Sequence, residues 1–182
     1  MKTHEFAIIA SGLDPEADGF EDKFFEAGCD DATISFQKGV IVLEFAREAR
    51  SFSHAMISAI SDVQKAGAKV ERFEPDYLVS LSDIAARSGL SRAAISLYCQ
   101  GKRASGFPPP VARVMSESPL WDWVDVSRWM HKQAKVSQEV VLQARMVREA
   151  NILTQFHALS SDQFAKKLEK RLAAVEGNPE VR

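Results

Sequence analysis

Apolar positions in the first part of the chain switch between two periods. HEFAIIAS, residues 4–11, alternates as a strand does, and residues 15–27 place Phe20, Phe24 and Phe25 at helical spacing, predicting a helix with all three on one side. ATISFQ (32–37) and VIVLEFA (40–46) flank Lys38-Gly39, a two-residue hairpin signal. Ser51 or Ser53 then caps a helix bearing Ala55, Met56, Ala59, Ile60 and Val63, Gly67 ends it, and AKVERFEP (68–75) supplies a fourth strand. The order β-α-β-β-α-β predicts a ferredoxin-like domain, an antiparallel sheet with both helices on one face.

Residues 80–101, SLSDIAARSGLSRAAISLYCQG, read as two short helices joined by a tight turn. Ser80 or Ser82 caps the first, which buries Ile84 and Ala85, and Gly89 takes the turn. Ser91 caps the second, whose inward face carries Ile95 and Tyr98, and Gly101 stops it. Ser91, Arg92, Ala93, Ser96, Leu97 and Gln100 are left on the outward side, the side that enters a major groove in a DNA-reading helix-turn-helix. Arg pairs with a guanine edge and Gln with an adenine edge, each good contact discriminating by about 1–3 kcal/mol.

Beyond this hairpin lie Lys102, Arg103, FPPPVARV (107–114), MSESP (115–119) and LWDWVDVSRWM (120–130). Three prolines exclude a central strand, so an extended edge segment and a β-hairpin wing are expected, with Val111 and Val114 before a turn at 115–119. Trp121 and Trp123 alternate on the return strand, and Asp125 caps a last short helix that presents Val126, Trp129 and Met130 to a core.

SDIAARSGLSRAAIS, GFPPPV and LWDWVDVSRWM together resemble the winged helix-turn-helix shared by MerR-like regulators and phage AlpA or excisionase-type proteins, over somewhat under a third of the chain. The resemblance implies DNA binding through residues 91–100, with wing contacts from Arg103 or Arg113 and from Ser116 and Ser118. The module sits centrally instead of at the amino terminus, and the effector-binding cysteine arrangement of MerR regulators is missing, so metal sensing is unsupported. No cofactor is implied.

Residues 136–175 read as two helices, the first with Val140, Val141, Ala144, Val147, Ile152 and Phe156, the second with Phe164, Leu168, Leu172 and Val175 after a capping box at Ser160 and Gln163. Such a hairpin cannot bury both faces by itself. A second chain is the favoured cover, an intramolecular brace the competing one.

The chain has 182 residues and a net charge of −2, unevenly placed. Residues 1–79 hold 8 Lys and Arg against 15 Asp and Glu, while residues 80–135 hold 8 against 4. The basic surplus coincides with the proposed DNA-binding segment, where phosphate contacts require it. Asp30-Asp31 reads as a solvated turn, and Glu44, Arg47, Glu48 and Arg50 as surface ion pairs. Cys29 and Cys99 are far apart and read as reduced thiols. No stretch reaches the roughly 18 apolar residues of a membrane span, and MKTHEFAIIASG has no signal-peptide form; a cytoplasmic protein without membrane contact is expected. No phosphate-cradling Gly-rich loop, nucleophile elbow, HExxH or CxxC is present, and His4, His54, His131 and His157 stand singly, so an enzyme is not expected.

The expected class is α+β: an acidic ferredoxin-like domain at 1–76 for dimerisation, sensing or partner binding, a winged helix-turn-helix at 77–135, dimerising carboxy-terminal helices at 136–177, and a flexible tail at 178–182. The expected function is a DNA-binding transcriptional regulator, a repressor acting as a homodimer on an inverted repeat of double-stranded DNA. The alternatives are an antitoxin-like protein holding a protein partner at its acidic domain, and a phage excision or architectural factor.

Overall fold

The computed structural model describes residues 1–155 and 161–178. The chain is α+β and divides into two compact units, Met1–Pro75 with Glu149–Arg182, and Asp76–Arg148. The carboxy-terminal segment, read from sequence as a hairpin of its own, is thus shared between the units.

In the first unit, β1 (Lys2–Ser11), β2 (Ala32–Gln37), β3 (Val40–Ala49) and β4 (Lys69–Glu74) form one antiparallel sheet in the order β2-β3-β1-β4. Lys38 and Gly39, with φ of 54° and 83°, make the β2–β3 turn, the mirror-image geometry that suits the twist of a hairpin. Strand alternation puts Phe6, Ile8 and Ala10 opposite Phe45, Leu43 and Ile41 on one face. Helix α2 (Phe52–Lys65), capped by Ser51, packs against β1, β3 and β4, and α1 (Phe20–Ala27) packs against α2.

Helix α1 is shorter than the sequence predicts, because Gly19 at φ 69° marks its start. Phe20 and Phe24, four residues apart, are buried; Phe25, about 100° further round the helix, is 66% exposed. Arg47 also departs from expectation. It continues the inward register of Leu43 and Phe45, so it is buried and not a surface ion-pair residue. Its guanidinium forks onto Asp31 (2.8 and 2.8 Å), reaches Asp62 at 2.7 Å, Ser58 at 3.1 Å and the Gly28 carbonyl at 2.8 Å, and lies 4.9 Å from the Phe45 ring centre. Burial works against its charge, but the hydrogen bonds to Asp31 and Asp62 outweigh that and hold it above its ordinary pKa. Asp31 is therefore a structural ligand of Arg47, not a solvated turn residue.

Helix α6 (Gln138–Thr154) runs from one unit into the other, and α7 (Ser161–Gly177) packs on α2. Phe164, Leu168, Leu172 and Val175 are buried within the same chain, so the stripe expected to meet a second chain is already covered. Phe156 and the Ser160 half of the predicted capping box lie outside the described residues, as do 179–182 of the predicted tail. Among the described residues, no helix is long and apolar enough to cross a membrane.

The second unit contains α3 (Leu81–Ser88), α4 (Arg92–Cys99), α5 (Trp123–Lys132) and a two-stranded ladder of β5 (Leu78–Val79) with β6 (Trp121–Asp122). Its core joins Val79, Ile84, Ile95, Tyr98, the three tryptophans, Val124, Val126 and Met130 to Ala144 of α6. The cap of α5 is Asp122, whose carboxylate accepts from the Val124 N–H at 2.7 Å, and not Asp125. Trp123 consequently opens the helix instead of extending the strand.

Candidate nucleic-acid interface

Local chemistry fixes the α3–α4 hairpin at every end. Ser80 and Asp83 form a reciprocal capping box at the start of α3. The Asp83 carboxyl is held below its ordinary range by the Ser80 hydroxyl, and its hydrogen bond to the Ser80 backbone and the charge of Arg87 act in the same direction against partial burial. At the other end, Leu90 N–H bonds the Ala85 carbonyl at 3.1 Å and Gly89 N–H that of Ala86 at 3.4 Å, a Schellman closure that needs the left-handed φ of 67° at Gly89. Ser91 caps α4 through the Ala94 N–H at 3.2 Å. Only Gly89, Leu90 and Ser91 separate the two helices.

Ala94, Ile95 and Tyr98 of α4 are buried, which turns the opposite side of the helix to solvent. Ser91, Arg92, Ala93, Leu97 and Gln100 are exposed there and Ser96 is half-buried, its hydroxyl accepting from the Gln100 amide at 3.1 Å. Among the described residues, no ion pair engages Arg92, Lys102 or Arg113. Lys102 sits just past the helix end, its N–H on the Leu97 carbonyl at 2.9 Å. Arg103 lies 5.3 Å from the Tyr98 ring centre, which ties the second basic residue to the helix core.

The segment expected to form a wing pairs less than expected. One antiparallel bridge, Ala112 with Leu120, replaces the predicted pair of strands. Its tip is nonetheless ordered by hydrogen bonds: the Ser116 N–H and hydroxyl both reach the Arg113 carbonyl at 2.9 Å, and the Ser118 N–H reaches the Ser116 hydroxyl at 3.2 Å. Arg113, Ser116 and Ser118 are exposed there, beside a fully exposed Met115.

Sequence reasoning missed what tethers this segment. The Trp121 indole N–H donates to the Pro108 carbonyl and the Trp129 indole to the Ser105 carbonyl, each at 3.1 Å, while Phe107 stacks edge-on against Trp129 with ring centres 5.1 Å apart. A buried indole must find an acceptor, and that requirement was the signal available. A second tether is Asp122, which besides capping α5 accepts from Arg148 at 3.0 Å.

Charge follows the division into units. The second unit holds 10 Lys and Arg against 6 Asp and Glu, the first 13 against 19. Both cysteines are free. Burial pushes the Cys99 thiol up to about 11; burial and the nearby Asp62 carboxylate push Cys29 up to about 11, against the pull of Arg47. Among the described residues, no group of three His, Cys, Asp or Glu is placed to hold a metal ion. No protein-family model, curated protein or solved structure matches the chain.

Proposed function

We propose that the chain is a sequence-specific DNA-binding transcriptional regulator, a cytoplasmic repressor that binds an inverted repeat as a homodimer. In this reading the second unit is a winged helix-turn-helix of the MerR-like or AlpA type, and the first is a ferredoxin-like domain that pairs copies or receives a signal. The observation that carries it is the outward row of α4, where Arg92 and Gln100 stand exposed among small residues on a helix whose other side is buried.

The chemistry follows from that row. Ala93 and Ser91 let the helix approach base edges closely, Arg92 offers a fork to guanine, and Gln100 offers an amide to adenine. Lys102, Arg103 and Arg113 supply phosphate contacts, which position the helix without reading sequence. Occupying a promoter in this way excludes polymerase, which is repression by mass action.

Selection of bound sites from a random duplex library, with the full chain at near-physiological salt, tests the reading. An enriched inverted repeat is expected. Recovery of no preferred sequence overturns it.

A further inference from the structure

The two edges of the four-stranded sheet are finished differently. The register of β4 against β1 shifts between Ile9 and Ala10, the strand carries Lys69, Glu71, Arg72 and Glu74, and Asn151 covers its backbone at Phe73. Irregularity, charge and a covering element are how proteins prevent a further strand from adding. Among the described residues, strand β2 shows none of these. ATISFQ has no charge, no proline and an unbroken register against β3.

The pleat shows which backbone groups that edge offers. Ala46 N–H bonds the Asp31 carbonyl at 3.1 Å, so Asp31, Thr33, Ser35 and Gln37 direct their backbone groups to β3, and Ile34 and Phe36 direct theirs outward. Around them lies apolar surface in the open: Phe25 at 66% exposed, Phe36 at 49%, and half-buried Ile34. A cavity of about 350 Å³ beside the edge is lined by Phe25, Cys29, Ala32 and Ile34 together with Thr33 and the acidic Glu21, Asp22 and Asp30.

We propose that β2 pairs antiparallel with β2 of a second copy about a two-fold axis at Ile34, joining two sheets into one. With Ile34 facing its own counterpart, Ala32 faces Phe36 of the second copy and Asp30 faces Lys38 of the second copy. Small meets large, and acid meets base. Because Ala32 lines the cavity, Phe36 of the second copy enters it, and each protomer both gives and receives a phenyl ring, as an isologous interface requires. Sliding the register by two residues sets Lys38 against Ala32 or Asp30 against Phe36, and both matches are lost. A foreign extended segment would find the same backbone groups, but a second copy brings the ring and the lysine at these offsets. The apolar stripe of α7 is no competitor for the role, since it is buried on α2.

This pairing gives a surface to the homodimer of the proposed function but stands on the first unit alone and needs no DNA binding, so it is tested without DNA. Sedimentation of the full chain at about 10 μM, a concentration that populates any dimer of micromolar affinity, is expected to give a dimer. Lys38→Asp sets like charges opposite at both ends of the paired strands and is expected to weaken association about tenfold. Adding Asp30→Lys to it restores the original strength by exchanging the charges. Phe36→Ser, with the circular dichroism spectrum and melting of the parent, empties the cavity and weakens association likewise. A monomeric parent overturns the proposal, as does a dimer insensitive to Lys38→Asp and Phe36→Ser, or a charge exchange that fails to restore pairing.

Discussion

The side-chain amide of Asn151 brackets the backbone of Phe73: the Phe73 N–H donates to Oδ1 at 2.7 Å, and Nδ2 donates to the Phe73 carbonyl at 3.0 Å. A single residue of α6 thus completes the ladder at the outer edge of β4, standing in for one residue of a fifth strand. Both residues are buried, so the groups released by Asn151→Ala would find no water. Each orphaned buried group costs about 1–3 kcal/mol. Asn151→Ala is therefore expected to lower the stability of the first unit by about 2–4 kcal/mol, with the loss read from urea denaturation. A loss under about 1 kcal/mol would mean that the edge rearranges to satisfy itself.

Arg47, near the carboxy-terminal end of β3, is a second such fastening, drawing Asp31, Asp62 and the Gly28 carbonyl together. Removing one partner of a buried ion group costs about 3–5 kcal/mol, because the remaining charges are stranded. Arg47→Ala is expected to fall in that range by thermal or chemical denaturation. Arg47→Lys, with a point charge in place of the fork, is expected to recover only part of it.

The period of apolar residues made much of this architecture legible. Strand alternation and the Lys38-Gly39 turn mark β2 to the residue and the start of β3, which runs three residues past its predicted end at Ala46, and Ser91 and Gly89, with Ser51 and Ser80 each as one of two candidates, mark helix ends, because these are local decisions of backbone and cap. What failed was long-range. Arg47 read as a surface charge because its partners are 15 and 16 residues away in sequence, although its place in the inward alternation of β3 was visible. The α7 stripe was recognised as needing cover, but periodicity does not say which surface supplies it. Asp122 and Asp125 are both competent caps. The choice fell to Asp122 because β6 pairs with β5 up to that residue, and the helix starts where the ladder stops.

Both thiols are expected to be slow nucleophiles. Burial raises Cys29 and Cys99 from 9.0 to about 11, and two pH units leave about 100-fold less thiolate at neutral pH. Disulfide-exchange reagents should label the native chain far more slowly than the chain in guanidinium, where both sites react as free cysteine. Rapid labelling of one native thiol would show that its burial is transient.

The α3 capping box predicts an acid-sensitive hairpin. The pKa of Asp83 is depressed below its ordinary 3.8 in the folded chain, so its contribution to stability is complete above that value and is lost as pH falls through the folded pKa. Below about pH 4, melting of the second unit should drop, and Asp83→Asn should flatten that part of the profile. Ser80→Ala, which removes the hydroxyl cap itself, is expected to cost about 1 kcal/mol at neutral pH.

In the proposed DNA-binding reading, Arg92 and Lys102 separate reading from holding. Arg92 opens the exposed row of α4 and Lys102 follows the helix end; on that reading the Arg92 fork would meet one base pair and the Lys102 point charge would meet phosphate. Arg92→Ala is therefore expected to weaken the selected site by about 1–3 kcal/mol and to relax preference at one position. Lys102→Ala should weaken all sequences alike and lower the salt slope of binding by about one. Titrating both variants against selected and scrambled duplexes over a salt series distinguishes the roles. If Arg92→Ala left preference unchanged while Lys102→Ala altered it, the helix would enter the groove by its carboxy-terminal end, and Gln100 would become the principal reader.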